Sequence, residues 1–379
     1  MAVIAERHGK VAYFITTDEM NTRIIGFDLA RAYAIFGMFI VNFNYSFGSF
    51  QDHSLIGQFL NLFIGNSTAI FIICAGMGVS LLTNNSLENS EQEKDKFKSV
   101  ILKRSWFLFA LGLLLYNWWA GDILHFYGGY MHIAAFILFI PKRFYLIGAI
   151  FAILIFHLLL FVIPVFTSWD LTTFKYEDFW TIKGFLRNTF YNGWNSIFPW
   201  VAYFLLGMWL GRIEWKAPKI RQRIFLTGLT SFLLFEGLRK YSIYKQFDQP
   251  ILDYINSDYF PPYLPFIIIT ASFALMVITV CIWIGEKFEN NMIIKWLSDT
   301  GKMTLTNYVQ HLTIGVLLFQ LLTGAIFPNG QLQMGKVLSP SYILTFSFCY
   351  FIISVLFSVL WTRKFGRGPL EMLMRKISG

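Results

Sequence analysis

The sequence predicts an all-α fold: a polytopic integral membrane helix bundle of about ten transmembrane helices, with the N-terminus and C-terminus both cytoplasmic. Three observations carry this expectation. Apolar runs of the roughly 20 residues needed to cross a bilayer recur along the chain. Only 14% of residues are charged, against about 25% in an ordinary soluble domain. The basic residues sit in short segments between the apolar runs rather than on one surface. The same distribution argues against nucleic acid as the partner behind a net charge of +9. Membrane lipids are the expected surroundings.

Spans are expected at 24–48, 55–83, 98–119, 121–141, 143–166, 193–213, 223–242, 262–285, 301–324 and 341–362. Only Pro141, Lys142 and Arg143 divide the fourth from the fifth. The polar stretch from Asn84 to Lys96 links spans two and three and is too short to be a domain. The chain therefore divides into a cytoplasmic N-terminal segment (1–23), a helix bundle (24–362) and a basic cytoplasmic tail (363–379). The first 23 residues lack the compact basic-then-apolar layout of a cleaved signal peptide, so the first span is expected to direct insertion.

Orientation follows from Lys and Arg. With the N-terminus inside, 24 of the 31 basic side chains fall on the inner side, as the positive-inside rule requires. This puts 50–54, 118–125 and 191–199 outside. These three turns are rich in polar and aromatic residues and almost free of positive charge. Arg104, Arg143, Arg212 and Lys302 belong to the inner basic ring.

Cys74, Cys281 and Cys349 each lie inside an apolar run, and none has metal-ligand spacing, so disulfide and metal sites are not expected. Polar groups at membrane depth are the informative ones, because burying them in lipid is costly. Asp28 and Arg31 share a helical face and can pair. Asn42 lies near the outer end of the first span, and His53 follows in the outer loop FGSFQDHSLIG. A histidine can accept the proton of an attacking amine or hydroxyl, or carry an acyl group itself. An asparagine amide can orient the ring or hold an oxyanion. In WWAGDILHFYGG, Asp122 and His125 are three apart and share a face; a helix N-cap is the plain reading of Asp122. His132 and His157 read as packing residues. His311, one turn after Asn307 in MTLTNYVQHL, reads as lining a polar cavity. Gly207 and Gly211 form a small-xxx-small pair, and Gly76 and Gly78 read the same way: helix packing rather than chemistry.

Several strings then add up. RIIGFDLARAYAIFGMFIVNFNYSFG, GNSTAIFIICAGMGVSLL, GDILHFYG, NSIFPWVAYFLLGMWLGR, GKMTLTNYVQH and FGRGPLEMLMRK resemble, in this order, the transmembrane acyltransferases. More narrowly, they resemble the bacterial relatives of heparan-α-glucosaminide N-acetyltransferase. The likeness covers nearly the whole chain. It departs from the family string at Ala32, where glycine is typical. The resemblance implies catalysis by His53 with Asn42, and acetyl-CoA or another acyl-CoA as a cytosolic donor. It implies a sugar amine or hydroxyl as the extracytoplasmic acceptor, and no metal. Asp122, His125, His311 and Asn307 are then candidates for the acceptor side, and Arg104, Arg143, Arg212 and Lys302 for the donor's phosphates, since coenzyme A is anionic. A bacterial cytoplasmic membrane is the expected location, and a second copy of the chain is a candidate partner. The alternative is a carrier or exporter of a glycan or lipid precursor without acyl transfer; a scaffold with no site would leave the polar residues unexplained.

Overall fold

The computed structural model describes residues 24–84, 90–171, 173–256, 258–323 and 338–379. The expected N-terminal segment 1–23 lies outside the described residues. The architecture is all-helical apart from one two-stranded hairpin. Seven helical stretches are long and apolar enough to cross a membrane: 25–47, 55–83, 91–116, 143–162, 264–287, 304–323 and 340–365.

The chain enters the bundle with α1 (Ile25–Phe47), which packs against four later helices. Ala30, Ala34, Ile35, Phe39, Ile40 and Phe43 have no exposed surface, so α1 is the central post of the fold. After the 49–54 loop, α2 (Leu55–Asn61) begins at Ser54, whose hydroxyl accepts from the Gly57 N–H at 3.1 Å. It turns into α3 (Asn66–Thr83), and α4 (Glu91–Tyr116) follows. The fourth expected span, 121–141, contains α5 (Leu124–Phe136), of only 13 residues, packed along α4. Then comes α6 (Arg143–Val162), which exposes Ile147, Ile150, Phe151, Leu154, Leu158 and Phe161. Such a large bare apolar face suits lipid rather than water.

Between α6 and the next long helix the chain folds into a cap. Strands β1 (Trp169–Asp170) and β2 (Lys175–Tyr176) pair antiparallel, Trp169 opposite Tyr176. They are followed by α7 (Ile182–Arg187) and a π-helical turn, Asn188–Asn192. Arg187 clamps the cap: its guanidinium donates to the Tyr176 hydroxyl at 2.7 Å, Ser168 Oγ at 2.6 Å and both Asp178 oxygens at 2.7 Å. Burial works to raise the Asp178 carboxyl, but the bonds from Arg187 and Ser168 outweigh it and hold it below the usual carboxylate range.

The sixth expected span, 193–213, contains α8 (Ile197–Leu210), of 14 residues. It is buried on nearly every face, against α3 and α6, so it does not need the length of a lipid-exposed span. Its contact with α3 is backbone to backbone. A Cβ on Gly207 would stand 2.1 Å from the Ile73 carbonyl oxygen, and one on Gly76 would stand 2.0 Å from that of Phe204. The small-xxx-small reading of these glycines holds.

The seventh expected span lies in α9 (Pro218–Tyr244), 27 residues long but interrupted by charge: Glu236 and Arg239 pair at 3.0 Å within it. The remaining elements are α10 (Gln249–Ile255), α11 (Leu264–Lys287), α12 (Met292–Lys302) and α13 (Thr304–Gln310). A π-helical turn, His311–Gly315, joins α13 to α14 (Val316–Thr323). Single π-turns inside α-helices occur often at functional sites. The long α15 (Pro340–Phe365) and the short α16 (Pro369–Ser378) close the chain. The basic tail expected over 363–379 is thus largely helical, and α16 packs on α4 and α13.

Candidate functional site

At the C-terminal end of α1 the helices part around a cavity of about 370 Å³, within the roughly 300–1,000 Å³ usual for small-molecule sites. One wall is α1 itself, through Val41, Asn42 and Tyr45. The cap supplies Trp169, Phe174 and Trp194, and the turn before α5 supplies Trp119. Tyr45 binds these surfaces together: its ring lies 6.1 to 6.3 Å, centroid to centroid, from those of Trp119, Phe174 and Trp194. Polar groups are few and convergent. They are Asn42, Ser67, Thr68, Asn195, Tyr259 and Tyr308, with Asp258 the one ionisable carboxylate on the lining. Asn195 is fixed by Tyr259, its amide nitrogen donating to the Tyr259 hydroxyl at 2.7 Å.

Beneath this lining lies a chain of buried polar groups. Asn42 Nδ2 is 2.9 Å from His311 Nε2. His311 has no exposed surface, and its Nδ1 faces the Asn307 carbonyl at 3.3 Å. That carbonyl can only accept, so Nδ1 carries the proton and Nε2 presents its lone pair. The Asn42 amide is then the donor to Nε2, which fixes the orientation of both side chains. The His311 ring meets Tyr308 edge to face, with centroids 5.3 Å apart. Tyr308 donates to Asp122 Oδ1 at 3.2 Å and accepts from the Ile123 N–H at 3.1 Å. Asp122 Oδ2 accepts from the backbone of Leu124 at 2.8 Å and of His125 at 3.2 Å, and lies 3.4 Å from His125 Nδ1. Asp122 therefore does cap a helix start, as its plain reading required, and it also ties that helix to Tyr308. His125 is fully buried among Tyr116, Phe126 and Phe179, and its Nε2 makes no hydrogen bond among the described residues.

The structure thus gathers Asn42, His311, Asn307, Asp122 and His125 into one network. His53 stands apart from it. It is exposed in the 49–54 loop, its carbonyl accepting from Gln58 Nε2 at 2.9 Å. It does not line the cavity, although Phe50, three residues earlier, does. Its neighbour Asp52 is held below the ordinary carboxylate range by hydrogen bonds from Ser54.

The basic candidates differ among themselves. Arg212 donates to the carbonyls of Leu138 and Ile140, the latter at 2.8 Å, and so ties α8 to the end of α5. Lys302 pairs with Asp299 at 2.8 Å, and Arg143 is exposed beside the Phe144 ring. Arg104 reaches α16, its Nε 3.3 Å from Ser378 Oγ. Near the same end of α1, Asp28 and Arg31 pair at 3.1 Å, and Arg31 also donates to the Cys74 carbonyl at 3.3 Å. His132 and His157 take packing positions, bonded to Ser105 and to Ile153 and Tyr254.

The sequence reading missed the aromatic cap and Tyr308. Its only signal was the density of Trp, Tyr and Phe between 166 and 194.

A family model described as heparan-alpha-glucosaminide N-acetyltransferase, catalytic, matches residues 23–250, more than half of the chain. A second, described as protein of unknown function (DUF418), matches residues 208–379. No curated protein and no solved structure matches the chain. Asn42 and Asp122 fall in the first matched region, His311 and Tyr308 in the second, so the polar network spans both. A multi-pass helical chain with this catalytic-domain match belongs to the heparan-alpha-glucosaminide N-acetyltransferase catalytic family, a family of membrane acetyltransferases.

Proposed function

We propose that the protein is a transmembrane acyltransferase that moves an acyl group, acetyl in the first instance, from cytosolic acyl-CoA to an amine or hydroxyl of an extracytoplasmic sugar. The ten-span topology with both termini inside and a bacterial cytoplasmic membrane location belong to the same proposal. The observation that carries it is the cavity at the outer end of α1, aromatic on its walls, with Asn42 held on its lining by a buried histidine. Flat aromatic faces with a few fixed polar groups suit a sugar ring, and the Asp258 carboxylate suits an amine.

In this reading the acceptor occupies the cavity and the thioester carbonyl comes to Asn42. The acceptor nitrogen or oxygen attacks the carbonyl carbon, the carbon–sulfur bond breaks, and coenzyme A leaves as the thiol. His53, at the rim, takes the proton from the attacking atom and returns it to the leaving sulfur; alternatively it accepts the acyl group and passes it on. Asn42 Nδ2 supports the oxyanion. Arg104, Arg143, Arg212 and Lys302 are the proposed contacts for the donor's phosphates.

A second reading gives the proton-accepting role to His311. Its favouring observation is that the Nε2 lone pair is aimed at Asn42, whereas His53 has no such partner.

Turnover of radiolabelled acetyl-CoA by the purified protein in detergent, with amino sugars as acceptors, tests the proposal. Acceptor-dependent loss of label from coenzyme A is expected. A carrier would bind the glycan and leave acetyl-CoA intact, and that result would end the acyltransfer reading.

A further inference from the structure

At the far end of the bundle from the aromatic cavity, α16 and the turn before it form an open cleft of about 570 Å³. Arg367, Arg375 and Lys376 line it, with the chain's last residue, Gly379. Arg104 stands behind, bonded to Ser378 and within electrostatic reach of Arg367 and Arg375. Four cationic side chains therefore crowd one place. No aspartate or glutamate lines the cleft among the described residues. Counting the terminal carboxylate still leaves a clear positive excess. Gathering like charges in this way is unfavourable unless an anion joins them.

The carboxylate that could have neutralised the cluster is turned elsewhere. Glu371 Oε1 accepts from the backbone N–H of Leu305 at 2.7 Å and Thr306 at 3.1 Å, and Oε2 from the Thr306 hydroxyl at 2.6 Å. Thr306 Oγ1 in turn accepts from the Leu370 N–H at 3.2 Å. Glu371 thus caps the first turn of α13 and pins α16 to it. From Thr306 it is five residues, about 7.5 Å of helix, to the π-turn that holds His311.

From this we infer that the cleft between α16 and α4 binds phosphoryl groups, with Arg375, Lys376 and Arg367 on its rim and Arg104 at its base. The two sources of that chemistry are the phosphates of the donor's nucleotide half and the phosphate of an anionic lipid headgroup. The first rests on the acyltransfer reading, and the second does not. The inference shifts the donor contacts away from Arg212 and Lys302, whose donors are bonded within the protein.

The test uses the full chain in nanodiscs and two probes. Adenosine 3′,5′-bisphosphate, the phosphorylated end of coenzyme A, is titrated in phosphatidylcholine discs. Retention of phosphatidylglycerol is counted by native mass spectrometry after release from mixed discs. Arg375 and Lys376 are exposed, so R375Q/K376Q should fold, and it should lose about ten- to a hundredfold in affinity for at least one probe, the worth of hydrogen bonds to a charged group. R104K, which keeps the charge, should stay near the parent. Binding should weaken with salt. Nucleotide loss alone assigns the cleft to the donor, and lipid loss alone to a headgroup. Parental binding of both probes by the variant, or no binding of either by the parent, overturns the inference. Acetyl-CoA turnover is measured on the same samples. An inactive parent whose phosphoryl binding still falls in the variant would remove the acyltransfer reading and leave the cleft standing.

Discussion

The Asn42 amide donates to Nε2 of His311 across 2.9 Å, joining two helices whose contact residues are 269 positions apart in the chain. With the Asn307 carbonyl fixing the proton on Nδ1, the bond has only one consistent direction. It sets the rotamer of the one amide that α1 presents to the cavity. Asn42→Ala should reduce turnover by about 10²–10³-fold if the amide supports an oxyanion, and His311→Ala should reduce it by releasing that amide. The double mutant should be little worse than the worse single one, because residues acting as a unit are not additive. Fully additive losses would separate the two roles.

His53 and His311 make opposite claims on the proton. His53→Ala removes an exposed side chain and should leave the fold unchanged. If His53 is the acid–base group, turnover falls by about 10²–10⁴-fold with the thermal midpoint unaltered. A His53→Ala enzyme with parental turnover would transfer the role to His311.

Topology is checked by labelling. In a background lacking the native cysteines, Gln51→Cys should react with a membrane-impermeant reagent from outside the cell, and Gln92→Cys and Lys376→Cys only from within. All three positions are exposed. External labelling at position 92 would invert the orientation and the mechanism built on it.

The α3–α8 contact leaves no room for a methyl group. Gly76→Ala and Gly207→Ala each place a Cβ about 2 Å from a backbone carbonyl oxygen. Backbone cannot yield as a flexible side chain would, so each should destabilise the bundle by about 1–3 kcal/mol. The readout is the thermal midpoint in detergent. Gly237→Ala has open space around its Cβ and should have little effect.

The cap carries an acid-sensitive clamp. Asp178 is held below its ordinary range by Arg187, so its stabilising contribution is present above the unfolded value. That contribution is lost as pH falls through the lower, folded one. Protection of 168–187 from hydrogen exchange should therefore drop on acidification below about pH 4. Asp178→Asn should show reduced protection already at neutral pH and a flatter acid response.

How much of this was legible beforehand varies with the kind of residue. Asn42, Asp122, His125 and His311 stood out because a polar group at membrane depth is costly and so needs a reason to be there. Glycines 76 and 207 were read from spacing alone. The expected spans 121–141, 193–213 and 223–242 were harder. They contain the 13-residue α5, the 14-residue α8 and the charge-bearing α9, none of which has the length and apolarity that mark a span. An apolar run reports that a segment is buried. It does not report whether lipid or protein buries it.

What the sequence by itself determined is the class of the molecule and the identity of its costly residues, since hydropathy and charge act locally, one segment at a time. What only the tertiary structure decided is which of those residues meet. Asn42 finds His311 rather than His53 as its hydrogen-bond partner, because α1 packs against α12 and α13 while the 49–54 loop turns its histidine outward. Glu371 leaves the arginines beside it to cap α13. The aromatic residues of the cap close over the cavity only after Arg187 has drawn Ser168, Tyr176 and Asp178 together. Each is a contact between segments far apart in the chain, set by how whole helices pack, and no local property of either segment specifies it.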